Sequence, residues 1–140
     1  MNCCSRIMLS LIFAVAATGA AAQSYPTKAV RMIVPFPPGA GVDIVSRAVS
    51  GRLAEALGQQ LIIDNRAGAG GILGAELAAK APPDGYTIFM ATAGILTVIP
   101  HMQAKLPYSV ERDFAPVSLV ASVPSVLVVP QGSEVAFPNR

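Results

Sequence analysis

Residues 61–80 read LIIDNRAGAGGILGAELAAK, which places an apolar run, a glycine cluster and a helix-like stretch in immediate succession. The apolar run, extended to Gln59–Arg66, predicts a β-strand, because such runs are typical of strands in a parallel sheet. Residues 72–81 predict a helix, which Pro82 and Pro83 would end. The glycines between them predict a loop whose backbone can approach a ligand closely.

The same order of strand, glycine loop and helix is predicted before this stretch and, in part, after it. Ala29–Phe36 predicts a buried strand, the glycines of PPGAG predict a loop, and a helix is predicted to start near Asp43 and to end at Gly58. Downstream, Tyr86–Ala91 predicts a third strand, and residues 92–94 predict a third loop. Alternating strands and helices indicate right-handed βαβ crossovers and therefore a parallel sheet.

The later part of the chain has a different pattern. A short helix is predicted before Pro100, and further strands are predicted at Asp113–Pro124 and Ser125–Pro130. No closing helix follows the last of these strands. Because strands of a parallel sheet are normally covered on both faces, this pattern favours a truncated chain or one lobe of a larger protein.

Residues 1–22 match a secretory signal peptide. They contain a short n-region with Arg6, an apolar core at Ile7–Ala17 and small residues before a cleavage site that we expect ahead of Gln23. A transmembrane anchor is the alternative, but the apolar core is well short of the ~20 residues that a membrane span needs. About 118 residues would remain, which is the size of one domain.

Composition excludes several classes of function. Cys3 and Cys4 would leave with the signal peptide, so we expect no disulfide framework, cysteine nucleophile or thiolate metal site. Ten Lys and Arg residues nearly balance eight Asp and Glu residues, and the basic ones are scattered along the chain. The sequence therefore does not predict nucleic-acid binding or a basic membrane-surface helix.

The three predicted loops should lie together, because loops that follow parallel strands leave the same edge of a sheet. Helix N-termini beside them would supply free N–H groups for an anion. A phosphate-binding P-loop is excluded because no Lys follows these glycines. A dinucleotide fingerprint starting at Gly68 and Gly70 meets Leu73 at its sixth position, and Gly74 comes one place late. A looser nucleotide site and a purely structural glycine turn remain alternatives.

Three motifs carry a resemblance to a known family. They are VPFPPGAGVD at 34–43, NRAGAGG at 65–71 and APPDGYT at 81–87, all within the segment 25–129. In this combination they resemble the N-terminal part of the substrate-binding proteins of tripartite tricarboxylate transporters, the Bug family. The resemblance implies an α/β fold of the type II periplasmic-binding-protein class, with a mainly parallel sheet in the first lobe and a truncated second lobe.

The resemblance also implies a domain arrangement and a function. Residues 23–129 would form the first lobe, and residues 130–140 would form the truncated start of the second lobe or a crossover. The protein would be a periplasmic, monomeric receptor that captures a small organic carboxylate for the membrane permease subunits of the transporter. The carboxylate would be a di- or tricarboxylate, an amino acid or an aromatic acid, and no cofactor, metal or nucleic acid would take part.

A site at the three loops follows from the same resemblance. Main-chain groups would hold a ligand carboxylate, Phe36 would wall the cleft, and Asp43 would either cap the helix or face a ligand amine. Ala40 departs from the family because a second glycine is usual there, and its Cβ would restrict the loop. The predicted ligand-binding residues are Phe36, Gly39, Ala40, Gly41, Asp43, Ala69, Gly70, Thr92, Ala93 and Gly94.

Enzyme chemistry has little support in the sequence, and we predict that the protein is not an enzyme. His101, the only histidine, is predicted to be a surface loop residue, and no serine lies in a G-x-S-x-G motif. Two alternatives to the receptor stay open. One is a truncated fragment that binds nothing, and the other is a secreted α/β enzyme.

Overall fold

The computed structural model describes residues 25–103, 105–124, 126 and 128. The predicted signal peptide and the segment 130–140 lie outside these residues. Within the described part, no helix is both long enough and apolar enough to cross a membrane.

A three-stranded sheet forms the centre of the fold. Its strands are β1 (Val30–Val34), β2 (Leu61–Asn65) and β3 (Thr87–Phe89), in the order β2-β1-β3 with both pairings parallel. The predicted parallel sheet is therefore confirmed. Because β1 lies in the middle with both faces covered, four of its five residues are buried, which explains its nearly continuous apolar sequence.

Helix α1 (Gly41–Leu57) covers one face of the sheet. The buried residues Met32, Val34 and Met90 form the core on this side, with apolar side chains of α1 and β2 packed against them. The helix ends as predicted at Gly58, which adopts the left-handed conformation that favours glycine (φ 65°).

Shorter helical segments cover the opposite face. A 3-10 turn, Ala69–Gly71, leads into α2 (Ile72–Ala79). A π-helical turn, Gly94–Val98, leads into α3 (Ile99–Met102), and α4 (Val110–Asp113) follows.

Aromatic residues complete the core on this second face. Ala75, Ile95 and Tyr108 are its buried members, and the Tyr108 hydroxyl donates a hydrogen bond to the Ile95 carbonyl oxygen at 2.9 Å. Phe114 stacks on Phe89 with a distance of 5.5 Å between ring centroids. The chain after α4 is thereby held beside β3.

The later segments depart from the sequence prediction. The short helical stretch expected before Pro100 is present, but α3 continues past this proline to Met102. No strand forms in residues 114–124, so the prediction of a strand at Asp113–Pro124 is wrong. Val117 in this segment is 92% exposed and forms no hydrogen bond with a neighbouring strand. Pro116 and Pro124 also lack the N–H that strand pairing needs. The two described residues of the predicted strand Ser125–Pro130 are not in a strand either.

Residues near the start of the described chain are hydrogen-bonded to the turn before β3. The Tyr25 hydroxyl donates to the Gly85 carbonyl oxygen at 2.5 Å, and the Thr27 N–H donates to the Tyr86 hydroxyl at 3.0 Å. The Lys28 ammonium lies 4.3 Å from the centre of the Tyr86 ring, a cation–π distance. We call this group the amino-edge clamp, because it lies where the sheet strands begin.

Candidate ligand-binding site

Three loops leave the carboxyl edge of the sheet, as predicted from the parallel order. We define the carboxyl edge as residues 35–41, 66–71 and 90–94, which follow β1, β2 and β3. Helix α1 begins at this edge, as do the 3-10 turn before α2 and the π-helical turn. Unpaired N–H groups and the positive ends of helix dipoles therefore point toward it.

Asp43 is the centre of a hydrogen-bond network at this edge. Its side chain is 2% exposed, and Oδ2 accepts hydrogen bonds from the Gly39 N–H and from Nε of Arg47, both at 2.9 Å. Oδ1 accepts a hydrogen bond from Nδ2 of Asn65, also at 2.9 Å. The same Nδ2 group donates to the Phe36 carbonyl oxygen at 3.0 Å. This Asp43 network joins the first loop, α1 and the end of β2.

The network keeps Asp43 ionised. Hydrogen bonds from the Arg47 side chain, the Gly39 N–H and Asn65 hold the pKa of the carboxyl far below its ordinary value, although desolvation opposes them. The same pairing raises the pKa of the Arg47 guanidinium. At neutral pH the pair is therefore fully charged, and a carboxylate with these partners is unsuited to accept a proton as a general base.

The prediction that the helix starts near Asp43 is wrong by two residues. Helix α1 begins at Gly41 with Ala40 as its N-cap, so Asp43 is the third helical residue and not the residue that starts the helix. From this position its carboxylate accepts a hydrogen bond from the Gly39 N–H, one residue before the N-cap, whereas the acid of a capping box binds the N–H of the N-cap itself. Ala40 has φ −66° and ψ 155°, a conformation open to any residue. The alanine that replaces the usual glycine is therefore accommodated without strain.

The second loop has an unusual backbone. Gly68, Ala69, Gly70 and Gly71 all have positive φ, and Ala69 (φ 48°) is the only non-glycine residue with this property in the described part of the chain. The left-handed conformation costs an L-residue roughly 1–2 kcal/mol. Strained residues of this kind cluster at ligand sites, where the surrounding structure holds them in place.

Close packing brings this loop against the other two. A Cβ built on Gly71 would lie 3.0 Å from Cγ1 of Ile95 and 3.4 Å from Cβ of Pro35. A Cβ on Gly74 would lie 2.8 Å from Cβ of Pro35. Real Cβ atoms essentially never come as close as the 2.8 Å found at Gly74. Gly71 has φ 100°, a conformation that L side chains rarely adopt, so both positions require glycine.

The third loop turns directly into a helical segment. The Thr92 carbonyl oxygen accepts hydrogen bonds from the N–H groups of Ile95 and Leu96, both at 3.1 Å. The Thr97 hydroxyl donates to the Ala93 carbonyl oxygen at 2.6 Å. The segment is π-helical, and π-helical turns occur frequently at functional sites.

A second charged cluster lies beside the network. Arg66, which follows β2, pairs with Asp64 through Nε at 2.8 Å, and Arg31 binds the other oxygen of the same carboxylate. Arg66 and Arg31 thus share one carboxylate. Both arginines are partly exposed, so each pair contributes little to stability, about 0–1 kcal/mol.

The predicted site residues share the carboxyl edge but differ in exposure. Asp43 is buried, and Phe36 is partly buried against the core around Ile95, so only part of its ring can face a ligand. Among the residues 25–103 and 105–124, no cluster of three His, Cys, Asp or Glu side chains could hold a metal ion. The exposed residues are Gly39, Gly41, Ala69, Gly70 and Ala93, and the partly exposed ones are Ala40, Thr92 and Gly94.

Sequence reasoning missed two members of the site. Arg47 follows Asp43 by four residues on α1, a spacing at which opposite charges meet on a helix surface, so its pairing could have been predicted. Asn65 is not among the residues that the sequence predicts for the site. Its bonds to Asp43 and Phe36 depend on how β2 lies beside β1, which the sequence does not display.

Replacing Asn65 with alanine is expected to destabilise the chain by about 2 kcal/mol, because a hydrogen bond to a charged group is lost together with a second one to Phe36. Urea denaturation of the full chain would measure the loss. Gln60→Ala is the matched control, since Gln60 is exposed and lies just before the same strand. A loss below about 0.5 kcal/mol for Asn65→Ala, the usual range for surface substitutions, would contradict the structural role.

A parallel α/β lobe whose loops and helix N-termini meet at one edge defines a class of proteins that bind small ligands at that edge. Within this class, residues 45–137 match the model of the tripartite tricarboxylate transporter family receptor. The chain belongs to this receptor family, which confirms the resemblance found in its motifs. Members of the family are receptors of tripartite tricarboxylate transporters.

Curated relatives support the same assignment. The chain is 44% identical over 131 residues to a UPF0065 protein from the tcbD-tcbE intergenic region of Pseudomonas sp. (strain P51). This match covers 91% of the present chain and 39% of the relative. It is 43% identical over 108 residues to Protein BugT of Bordetella pertussis, covering 76% of this chain and 33% of that protein. The chain thus spans roughly two fifths or less of the length of these relatives.

Solved structures show the same fold. A periplasmic transporter superposes with a TM-score of 0.65 at 47% identity, over 67% of this chain and 32% of its own. MatC of Rhodopseudomonas palustris with bound malate gives a TM-score of 0.59 at 37% identity, over 69% and 33% of the two chains. Rpa4515 of R. palustris with adipate gives 0.59 at 38% identity, over 66% and 31%. The type II periplasmic-binding-protein fold of this lobe is confirmed.

Proposed function

We propose that this chain forms one lobe of a periplasmic receptor that captures a small organic carboxylate and delivers it to the permease subunits of a tripartite tricarboxylate transporter. The observation that carries the proposal is the carboxyl edge, where three loops and the N-terminus of α1 direct main-chain N–H groups toward one place. Such an arrangement favours an anion without requiring a basic side chain.

Two structural neighbours narrow the class of ligand. MatC was solved with malate and Rpa4515 with adipate, and both superpose on this lobe at more than a third sequence identity. Both ligands are small dicarboxylates. We therefore propose a di- or tricarboxylate ahead of an amino acid or an aromatic acid as the ligand of this chain.

The proposed contacts come from the backbone of the three loops. N–H groups of Gly41 and the next residues of α1 have no acceptor one turn earlier, as at any helix start. Phe36 would contribute the apolar wall. Asp43 positions the first loop and does not touch the ligand, because its carboxylate is buried and paired with Arg47. The N–H groups of Gly39 and Ala40 already donate to Asp43 and to the Pro37 carbonyl oxygen, so these two residues shape the first loop. The proposed main-chain contacts are Gly41, Ala69, Gly70, Thr92, Ala93 and Gly94.

The remaining parts of the proposal follow from the family. The chain would reach the periplasm through a cleaved signal peptide and would act as a monomer without cofactor. It would not be an enzyme. In support, the candidate base His101 lies exposed on α3 with Nδ1 2.7 Å from the Thr97 carbonyl oxygen, and Asp43 is neutralised by Arg47.

Titration of the ¹⁵N-labelled full chain with malate is expected to shift the amide signals of Gly41, Gly70 and Gly94. Glycine amides resonate in a region of their own, so these signals can be followed separately. We expect a dissociation constant in the millimolar range, because this lobe supplies one wall of a cleft and tight sites enclose most of a small ligand.

Three other glycines are built-in controls for this titration. Gly51 lies in the middle of α1, whereas Gly58 and Gly85 lie toward the amino edge of the sheet. Their signals should stay in place while those at the carboxyl edge move. Equal shifts of both groups, or no shift at either with malate, succinate or citrate, would contradict carboxylate binding at the carboxyl edge.

A further inference from the structure

Seven backbone carbonyl oxygens of the three loops at the carboxyl edge accept hydrogen bonds within the protein. In the first loop, the carbonyl oxygen of Phe36 accepts from Asn65, that of Pro37 accepts from the Ala40 N–H at 3.2 Å, and that of Ala40 accepts from the Ile44 N–H at 3.0 Å. These three oxygens therefore have partners before any ligand arrives.

The same is true of the other two loops. The Gly68 carbonyl oxygen accepts from the Gly71 N–H at 2.9 Å, and that of Ala69 accepts from the first N–H of α2. In the third loop, the carbonyl oxygen of Thr92 accepts two N–H groups and that of Ala93 accepts the Thr97 hydroxyl. Hydrogen-bond donors of the helix starts thus face solvent at this edge, while seven loop carbonyl oxygens are engaged.

The charges at the carboxyl edge also favour an anion over a cation. No acidic residue lies in the three loops themselves, and the nearest carboxylates are those of Asp43 and Asp64. Asp43 is buried and paired with Arg47, whereas Asp64 is bound by Arg31 and Arg66. The guanidinium groups remain partly exposed, so the free charge here is positive.

A ligand ammonium would find no unpaired carboxylate in these surroundings. Burying a charged amine is costly unless a carboxylate or several oxygen atoms accept its hydrogen bonds. The described part of the edge offers no unpaired carboxylate, and seven of its loop carbonyl oxygens already accept hydrogen bonds. We infer that this lobe selects carboxylates without an amino group and discriminates against α-amino acids; the inference rests on the proposed function and narrows its substrate class.

A matched pair of ligands tests this inference. Succinate and L-aspartate have the same carbon chain and two carboxylates, and they differ by one ammonium group. In amide-shift titrations of the full chain, succinate should bind at least about tenfold more tightly than aspartate, a ratio equivalent to ~1.4 kcal/mol. Glutarate and L-glutamate form a second pair with the same expected order.

The outcomes separate the inference from the proposed function. Binding of both ligands with equal affinity would overturn the selection against amines and leave the carboxylate receptor intact. Tighter binding of aspartate would overturn it as well. Absence of any shift with either ligand would reject the proposed function, and the inference with it.

An Arg47 variant tests why the lobe would prefer a carboxylate without an amino group. Arg47→Gln removes the cation that neutralises Asp43, and the carboxylate beside the edge would then repel succinate and attract an ammonium group. The ratio of the two affinities is expected to fall at least about threefold, since even partly exposed charges at short range interact measurably. Arg52→Gln is the matched control, because Arg52 is an exposed arginine on the same helix outside the network. An unchanged ratio in a folded Arg47→Gln chain would overturn the assigned role of the Asp43 network.

Discussion

Gly74→Ala is expected to destabilise the chain by about 3 kcal/mol or more, the upper range for forcing an extra carbon into a packed interior. The added Cβ would lie 2.8 Å from Cβ and 2.9 Å from Cα of Pro35, and 3.0 Å from the carbonyl oxygen of Arg66. Two of these atoms belong to the backbone, so no side-chain rotation can relieve the overlap. Helix α2 would have to move away from the first two strands. Urea denaturation of the full chain measures the effect.

A second glycine provides the control for this prediction. Gly51 lies on the exposed side of α1, and a Cβ there would meet nothing within 4 Å. Gly51→Ala is therefore expected to stabilise the chain by about 1 kcal/mol through helix propensity alone. Similar stabilities for the Gly74 and Gly51 variants would show that α2 does not depend on its close contact with Pro35.

Asp43→Asn is expected to destabilise the chain at neutral pH by more than Asn65→Ala does. The substitution removes the charge that pairs with Arg47 and places an NH₂ group or a neutral oxygen opposite the donors of Gly39, Arg47 and Asn65. A buried group surrounded by donors cannot satisfy them all once it becomes an amide.

The pH dependence gives this prediction a distinct signature. The pKa of Asp43 is lowered in the folded chain by its hydrogen bonds, whereas in the unfolded chain it has its ordinary value of about 3.8. The carboxylate therefore contributes its full stability above that unfolded pKa, and the contribution is lost as the pH falls below it. In Asp43→Asn, the decline of stability between about pH 5 and pH 2 should become shallower.

Glu55→Gln is the control for the titration, because Glu55 is an exposed acid near the other end of the same helix. Its removal should leave the pH profile close to that of the parent chain. If Asp43→Asn kept the full acid-induced decline, the network would not be the source of the acid sensitivity.

Much of the fold could be predicted because local signals and the tertiary structure agree. The apolar runs that became β1 and β2, the C-terminal glycine of α1 and the prolines after α2 each reflect one physical requirement readable in sequence. The segment after Phe114 could not be predicted in the same way. Its β-branched residues favour a strand, but a strand forms only where a neighbour offers hydrogen bonds, and none does so for residues 114–124 in the described structure.

The candidate site was predictable in position but not in detail. Parallel topology brings the three loops to one edge whatever their side chains are, so Gly39, Gly70 and Gly94 could be grouped from the sequence. The orientation of Asp43 could not, because it depends on Asn65 arriving from another strand. In the sequence, Gly74 comes one place late for a dinucleotide fingerprint. The structure gives it the role of allowing a helix and a strand to approach closely.

The amino-edge clamp has a practical consequence for binding measurements. Tyr25 and Thr27 are held to Gly85 and Tyr86, at the side of the sheet opposite the loops. A chain immobilised on a sensor surface through a tag placed before Tyr25 would therefore present its carboxyl edge to the flowing solution. Attachment through an introduced cysteine near Ala93 would instead turn that edge toward the support. Ligand binding measured with the two attachments would compare a carboxyl edge that is accessible to solution with one that is obstructed.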